Sequence, residues 1–231
     1  MIAADPKSAE IIRPILRGRD IKRYEYTFAD LWVIATFPSR CYNIDDYPAI
    51  KNHLLTFGIE RLEQTGKTYT INGQPVKARK KTSNKWFETQ DSIKYWDDFS
   101  KQKIVWGNLC LSSQFALAGE GMFVNAPSPM IVPGNKYILA VLNSKLGDWY
   151  IRQLGVTRNG GYFEYKPMFV EKLPVPQISV EQQKPYISLV DQLLEPKAGC
   201  NTNAKIEQEL DQLIFSLYGL SANEIEYIVK A

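Results

Sequence analysis

Apolar residues run through most of this chain in short, strand-length bursts separated by Pro, Gly and polar turns; beyond residue 177 they recur at helical spacing. Residues 31–37, Leu-Trp-Val-Ile-Ala-Thr-Phe, are rich in β-favouring side chains and end at Pro38, which predicts a buried strand. Tyr47-Pro48 opens a helix on which Ile50, Leu54, Phe57 and Leu62 share a face. Thr68–Ile71 and Gln74–Lys77 flank Asn72-Gly73, the preferred pair for a type I′ hairpin turn. Lys103–Trp106 and residues 122–124 and 130–132 predict further short strands. Residues 137–144 and 146–154 predict two helices joined by a turn.

The pattern changes at Lys172-Leu173-Pro174-Val175-Pro176-Gln177, where alternate prolines predict an extended joint. Past it, Ser179 to Gln182 forms a capping box, and Ile187, Val190 and Leu194 make an apolar stripe that Pro185 is expected to kink or delay. Residues 196–203 read as a Gly/Pro/Asn break. Ile206, Leu210, Leu213, Ile214 and Leu217 make the next stripe, Gly219 is a plausible cap, and Ser221 to Glu224 starts a last short helix. The expectation is an α+β protein: a β-rich mixed body over residues 1–177, followed by a C-terminal α-helical hairpin over residues 178–231.

Composition narrows the class. No apolar run approaches the roughly 20 residues a membrane span needs, and the first residues lack a basic-then-apolar leader. Cys41, Cys110 and Cys200 are odd in number and far apart, which argues against a disulfide framework or zinc site and for a cytoplasmic protein. Net charge is only +3, but the region past residue 177 carries eight carboxylates against four lysines. The body is therefore basic, and it holds all five tryptophans, a combination that suits a polyanionic partner.

Catalytic chemistry is thin. The single histidine, His53, sits in the predicted helix, and a packed or solvated role fits it better than catalysis. Thr65-Gly66-Lys67-Thr68 mimics the end of a phosphate loop, but Arg61 stands where the first glycine belongs. Asn125-Ala126-Pro127-Ser128 lacks the second proline and the aromatic of an adenine-gripping Asn-Pro-Pro-Tyr loop. Asp148 with Glu164-Tyr165-Lys166 has the residue types of a metal-dependent nuclease, although Glu-x-Lys triplets arise often by chance. No catalytic residue and no metal site is assigned.

Binding chemistry is richer. Residues 77–86 hold five cations and no acid. Lys77, Arg79, Lys80 and Lys81, with Arg152, are candidates for phosphate contacts; a solvated hairpin flank is the plainer alternative. Asn84, Lys85, Asn108, Ser113, Gln114, Arg158, Asn159 and Tyr162 are candidates for base edges or their surroundings, since short amides, hydroxyls and basic side chains read bases. Turn chemistry would account for several of them as well.

The residues also add up to a family likeness. Residues 12–24, Ile-Arg-Pro-Ile-Leu-Arg-Gly-Arg-Asp-Ile-Lys-Arg-Tyr, resemble the opening of the TaqI-like C-terminal specificity domain of Eco57I-type (type IIG) restriction-modification enzymes and related adenine-specific DNA methyltransferases. Further matches follow in order: Trp86-Phe87-Glu88-Thr89-Gln90, Tyr95, Phe99, Lys103–Trp106, residues 139–145 and residues 172–176. The tail, from residues 189–194 to Leu217-Tyr218-Gly219-Leu220, is similar to the helices closing these domains and type I specificity subunits.

The resemblance implies a target recognition domain that reads a short double-stranded DNA sequence for a methyltransferase or combined endonuclease–methyltransferase, in a bacterial or archaeal cytoplasm. Catalysis would then lie in a separate or upstream domain, which would take S-adenosylmethionine, and Mg²⁺ if it also cleaves; this chain would need no cofactor. Arg17 and Arg19 would face that catalytic domain. The alternative is a non-catalytic interaction or dimerisation subunit that docks through the stripe at residues 206–217, like a separated type I specificity subunit.

Overall fold

Lys103, Ile104, Val105 and Trp106 form a strand that is buried along its whole length, Trp106 being 2% exposed. The computed structural model describes residues 1–195 and 200–230.

By contacts the chain divides into two compact units, residues 1–14 with 30–97 and residues 15–29 with 98–231. Strand β1 (Ile12–Leu16) belongs to both. In the first unit Ile12, Arg13 and Pro14 pair antiparallel with Ile34, Val33 and Trp32 of β2 (Trp32–Ile34). In the second, Ile15 and Leu16 pair parallel with Phe123 and Val124.

The first unit continues through α1 (Pro48–Leu55), α2 (Ile59–Leu62) and the hairpin β3 (Thr68–Ile71) and β4 (Gln74–Lys77). Asn72 and Gly73 both have positive φ, as a type I′ turn requires, so the expected hairpin forms. Ile11, Ile12, Ile44, Tyr47, Ile50 and Phe87 make its core. His53 packs edge-on against Phe57. Two expectations are corrected here. Residues 31–37 do not form a buried strand: only Trp32–Ile34 pair, and Trp32 is 51% exposed. The ladder stops because Thr36 turns aside, its hydroxyl donating to the Phe87 carbonyl at 2.7 Å. The apolar face from Ile50 to Leu62 is not one helix either, because Gly58, at φ +83°, separates α1 from α2.

In the second unit β5 (Lys103–Trp106) is the centre of an antiparallel sheet. It lies between β7 (Phe115–Ala118) and β9 (Met130–Ile131). A second sheet joins β6 (Leu109–Cys110), β11 (Tyr162–Glu164) and β10 (Thr157–Arg158), while β8 (Phe123–Val124) pairs with β1. Helices α3 (Lys136–Asn143) and α4 (Lys145–Leu154) form the expected pair. Asn135 caps the first and Ser144 the second. A short α5 (Pro167–Val170) follows.

The joint at residues 172–177 is held by two tyrosines: the Tyr137 hydroxyl donates to the Pro176 carbonyl at 2.8 Å, and that of Tyr218 to the Pro174 carbonyl. Beyond it come α6 (Val180–Leu194), α7 (Cys200–Leu217) and α8 (Ala222–Lys230), giving a mixed α+β fold with C-terminal helices. Pro185 does not delay α6, which starts at Val180 under the Ser179–Gln182 capping box. An exposed proline this near the N-terminus leaves only an outward carbonyl without its helical donor. Of the expected break at 196–203, residues 196–199 lie outside the described residues, and α7 has begun by Cys200. Ile206, Leu210 and Ile214 are buried in the same core as α3 and α4, so that stripe is not presented to a partner.

Buried polar groups tie these elements together. The Asn143 carboxamide accepts from the Phe115 N–H at 3.0 Å and donates to the Phe115 carbonyl at 2.8 Å. Lys103 Nζ donates to the carbonyls of Phe99 and Gly119, each at 3.0 Å. Trp106 Nε1 donates to the Tyr165 carbonyl at 2.6 Å.

Replacing Asn143 with Ala strands the buried Phe115 N–H of β7, whose carbonyl keeps the Tyr24 N–H, and should cost about 1–3 kcal/mol in urea unfolding; a loss below about 0.5 kcal/mol would show that the bridge is dispensable. Burial pulls the Lys103 ammonium down to about 8. The unfolded chain keeps that proton to higher pH, so the folded state gains stability as pH rises above 8. Between pH 7.5 and 9.5 the wild type should gain about 1–2 kcal/mol relative to Lys103→Met; parallel pH dependences would contradict this.

Candidate nucleic-acid interface

The Arg-Gly-Arg-Asp segment after β1 closes on itself. Arg17 Nε and Nη2 each donate to the Asp20 carboxylate at 2.8 Å, and the Arg17 N–H adds a third bond at 3.0 Å. These bonds hold the Asp20 carboxyl below its usual range. Gly18 lets the turn pack closely: a Cβ there would sit 3.0 Å from Ser128 Oγ and 3.4 Å from Gly107 Cα. Tyr24 then anchors the segment, donating its N–H to the Phe115 carbonyl at 2.9 Å.

Arg19 and Lys22 project from this segment into a groove of about 350 Å³, with Asn108, Gln114, Asn125 and Ser128 as its other polar lining. Leu109, Leu111, Pro127 and Tyr162 supply the apolar part. The backbone behind each wall is fixed. The Asn108 carbonyl accepts from the Tyr165 N–H at 2.8 Å, and the Asn125 N–H donates to the Leu16 carbonyl at 2.9 Å. Asp148 accepts from the Ser113 N–H at 2.6 Å and from the Tyr165 hydroxyl, fixing the loop that carries Gln114.

The structure sorts the sequence candidates by whether their polar atoms are already engaged. Arg19, Asn108, Gln114 and Tyr162 meet in the groove, and among the described residues their side chains make no hydrogen bond or ion pair. Arg158 and Asn159 are exposed nearby in sequence, but Arg158 is paired with Glu164, which also binds Lys166 at 2.8 Å. Arg17 is held by Asp20 at 2.8 Å. Ser113 is fully buried, which removes it as a base contact. Arg152 lies over the Phe163 ring and 3.5 Å from Asp148.

The first unit has its own division. Arg79 is spent on the carbonyls of Leu62 and Glu88, at 2.7 and 2.8 Å, and on that of Trp86. Asn84 donates to the carbonyls of Thr89 and Gln90. Both therefore act as clips within the fold. Lys77, Lys80, Lys81 and Lys85 are exposed, and none of the four is in an ion pair among the described residues; Lys85 lies over the Phe87 ring.

Reading the sequence alone missed Lys22, Asn125 and Ser128. Asn125 and Ser128 close a turn, the Ser128 N–H donating to the Asn125 carbonyl at 2.9 Å, and the turn-forming composition was their only signal. The nuclease reading fares poorly, since Glu164 is neutralised by two cations. Among the described residues no group of three or more His, Cys, Asp or Glu side chains is placed to hold a metal. No helix among them is long and apolar enough to cross a membrane.

The family model of the TaqI-like C-terminal specificity domain matches residues 13–175. This chain belongs to that family. Membership supports a role in DNA recognition within restriction–modification. A solved structure of the type IIL restriction-modification enzyme MmeI in complex with DNA shares the fold over 96% of this chain, at 14% identity and a TM-score of 0.61. This chain covers 30% of that one. The type IIG restriction endonuclease BpuSI matches over 93% of this chain and 27% of its own, at 11% identity and a TM-score of 0.47. A comparison with curated proteins finds no match.

Asp20→Asn should loosen the turn that carries Arg19 and cost about 1–2 kcal/mol, because the carboxylate that accepts from Arg17 through both oxygens becomes an uncharged amide with one acceptor. Unchanged urea unfolding would mean that the turn is held by its glycine contacts alone.

Proposed function

We propose that this chain reads a short duplex DNA sequence for a catalytic domain outside it. The observation that carries the reading is the groove of the second unit, where cationic and amide side chains stand unengaged on a backbone fixed from behind. Such groups offer donors and acceptors to base edges without rearranging the fold. The exposed lysines of the first unit fit phosphates, whose contacts add affinity without sequence information.

The partner would be an adenine-N6 methyltransferase, separate or upstream, using S-adenosylmethionine; with Mg²⁺ it would be an endonuclease as well. The chain would hold the duplex while that domain extrudes its target adenine. A bacterial or archaeal cytoplasm suits this role.

Salt-titrated binding to a randomised duplex pool, with the bound fraction sequenced, tests the reading. One short motif should be enriched, and absence of binding at low salt would overturn the reading. Lys80→Ala with Lys81→Ala should weaken binding to all duplexes and reduce the salt slope by about 2, leaving the enriched motif unchanged.

A further inference from the structure

The groove carries a more specific signal in its combination of side chains. Leu109 in β6 and Leu111 just past its end are each 54% exposed, and Tyr162, which lines the same groove, is 43% exposed. Single exposed leucines are ordinary, but here two flank a polar groove. Its lining includes amides and cations and no carboxylate.

Each base pair offers a different major-groove edge. Cytosine presents an amino donor that carboxylates accept, whereas adenine presents a donor and acceptor that one amide matches twice, and thymine presents a methyl group. We infer that this groove reads an A·T pair in the major groove, Gln114 pairing with the adenine edge and Leu109 and Leu111 covering the thymine methyl. This rests on the duplex-recognition reading above. Gln114 is the better placed amide, because Asn108 Oδ1 is buried and has no partner.

The test uses the full chain and the duplex enriched from the randomised pool, resynthesised with uracil replacing thymine at one position at a time. Uracil keeps the hydrogen-bonding edge and lacks only the methyl. At one position it should weaken binding about fourfold, the effect of one buried methyl. Leu109→Ala with Leu111→Ala should abolish that difference, and Gln114→Ala should relax the choice of base at the same position. Tight binding that is insensitive to uracil everywhere would overturn the inference and leave duplex recognition standing. No binding to any duplex would overturn both.

Discussion

The second unit depends on a single carboxamide. Asn143 ends α3 and holds both backbone groups of Phe115, and the same Phe115 carbonyl receives the Tyr24 N–H. One buried node thus joins a helix, the strand β7 and the segment bearing Arg19 and Lys22. A buried amide that satisfies two backbone groups is stable only in one register, so the node fixes position as well as adding energy. Gln114 directly precedes Phe115, which puts the groove one residue from this anchor.

Around the node the polar side chains have separate duties. Arg17, Arg79, Asn84, Lys103 and Asp148 bond to the protein itself and shape its loops. Arg19, Lys22, Gln114 and Ser128 line the groove without such bonds among the described residues. Residue type alone does not separate the two groups, since arginines and amides occur in both.

That is why the framework was more legible than the site. The Asn72-Gly73 hairpin, the helix pair that meets at Asn143 and Ser144, and the Ser179 cap all follow from local rules. The family motif at Trp86–Gln90 proved to be framework too: Phe87 is core, and the Glu88 carbonyl receives Gln64 and Arg79. The partners that engage the Arg79 guanidinium and the Ser113 N–H, Leu62 and Asp148 among them, are distant in sequence and so leave no local signal. Residues 31–37 have strand composition, but composition does not reveal how many partners a neighbouring strand can supply.

Strand β1 has a genealogical consequence. Its first three residues pair in one unit and its last two in the other, and the chain returns to the first unit after residue 29. Neither unit is a contiguous stretch of sequence. Recombination at one breakpoint therefore cannot exchange one unit between relatives and leave the other whole.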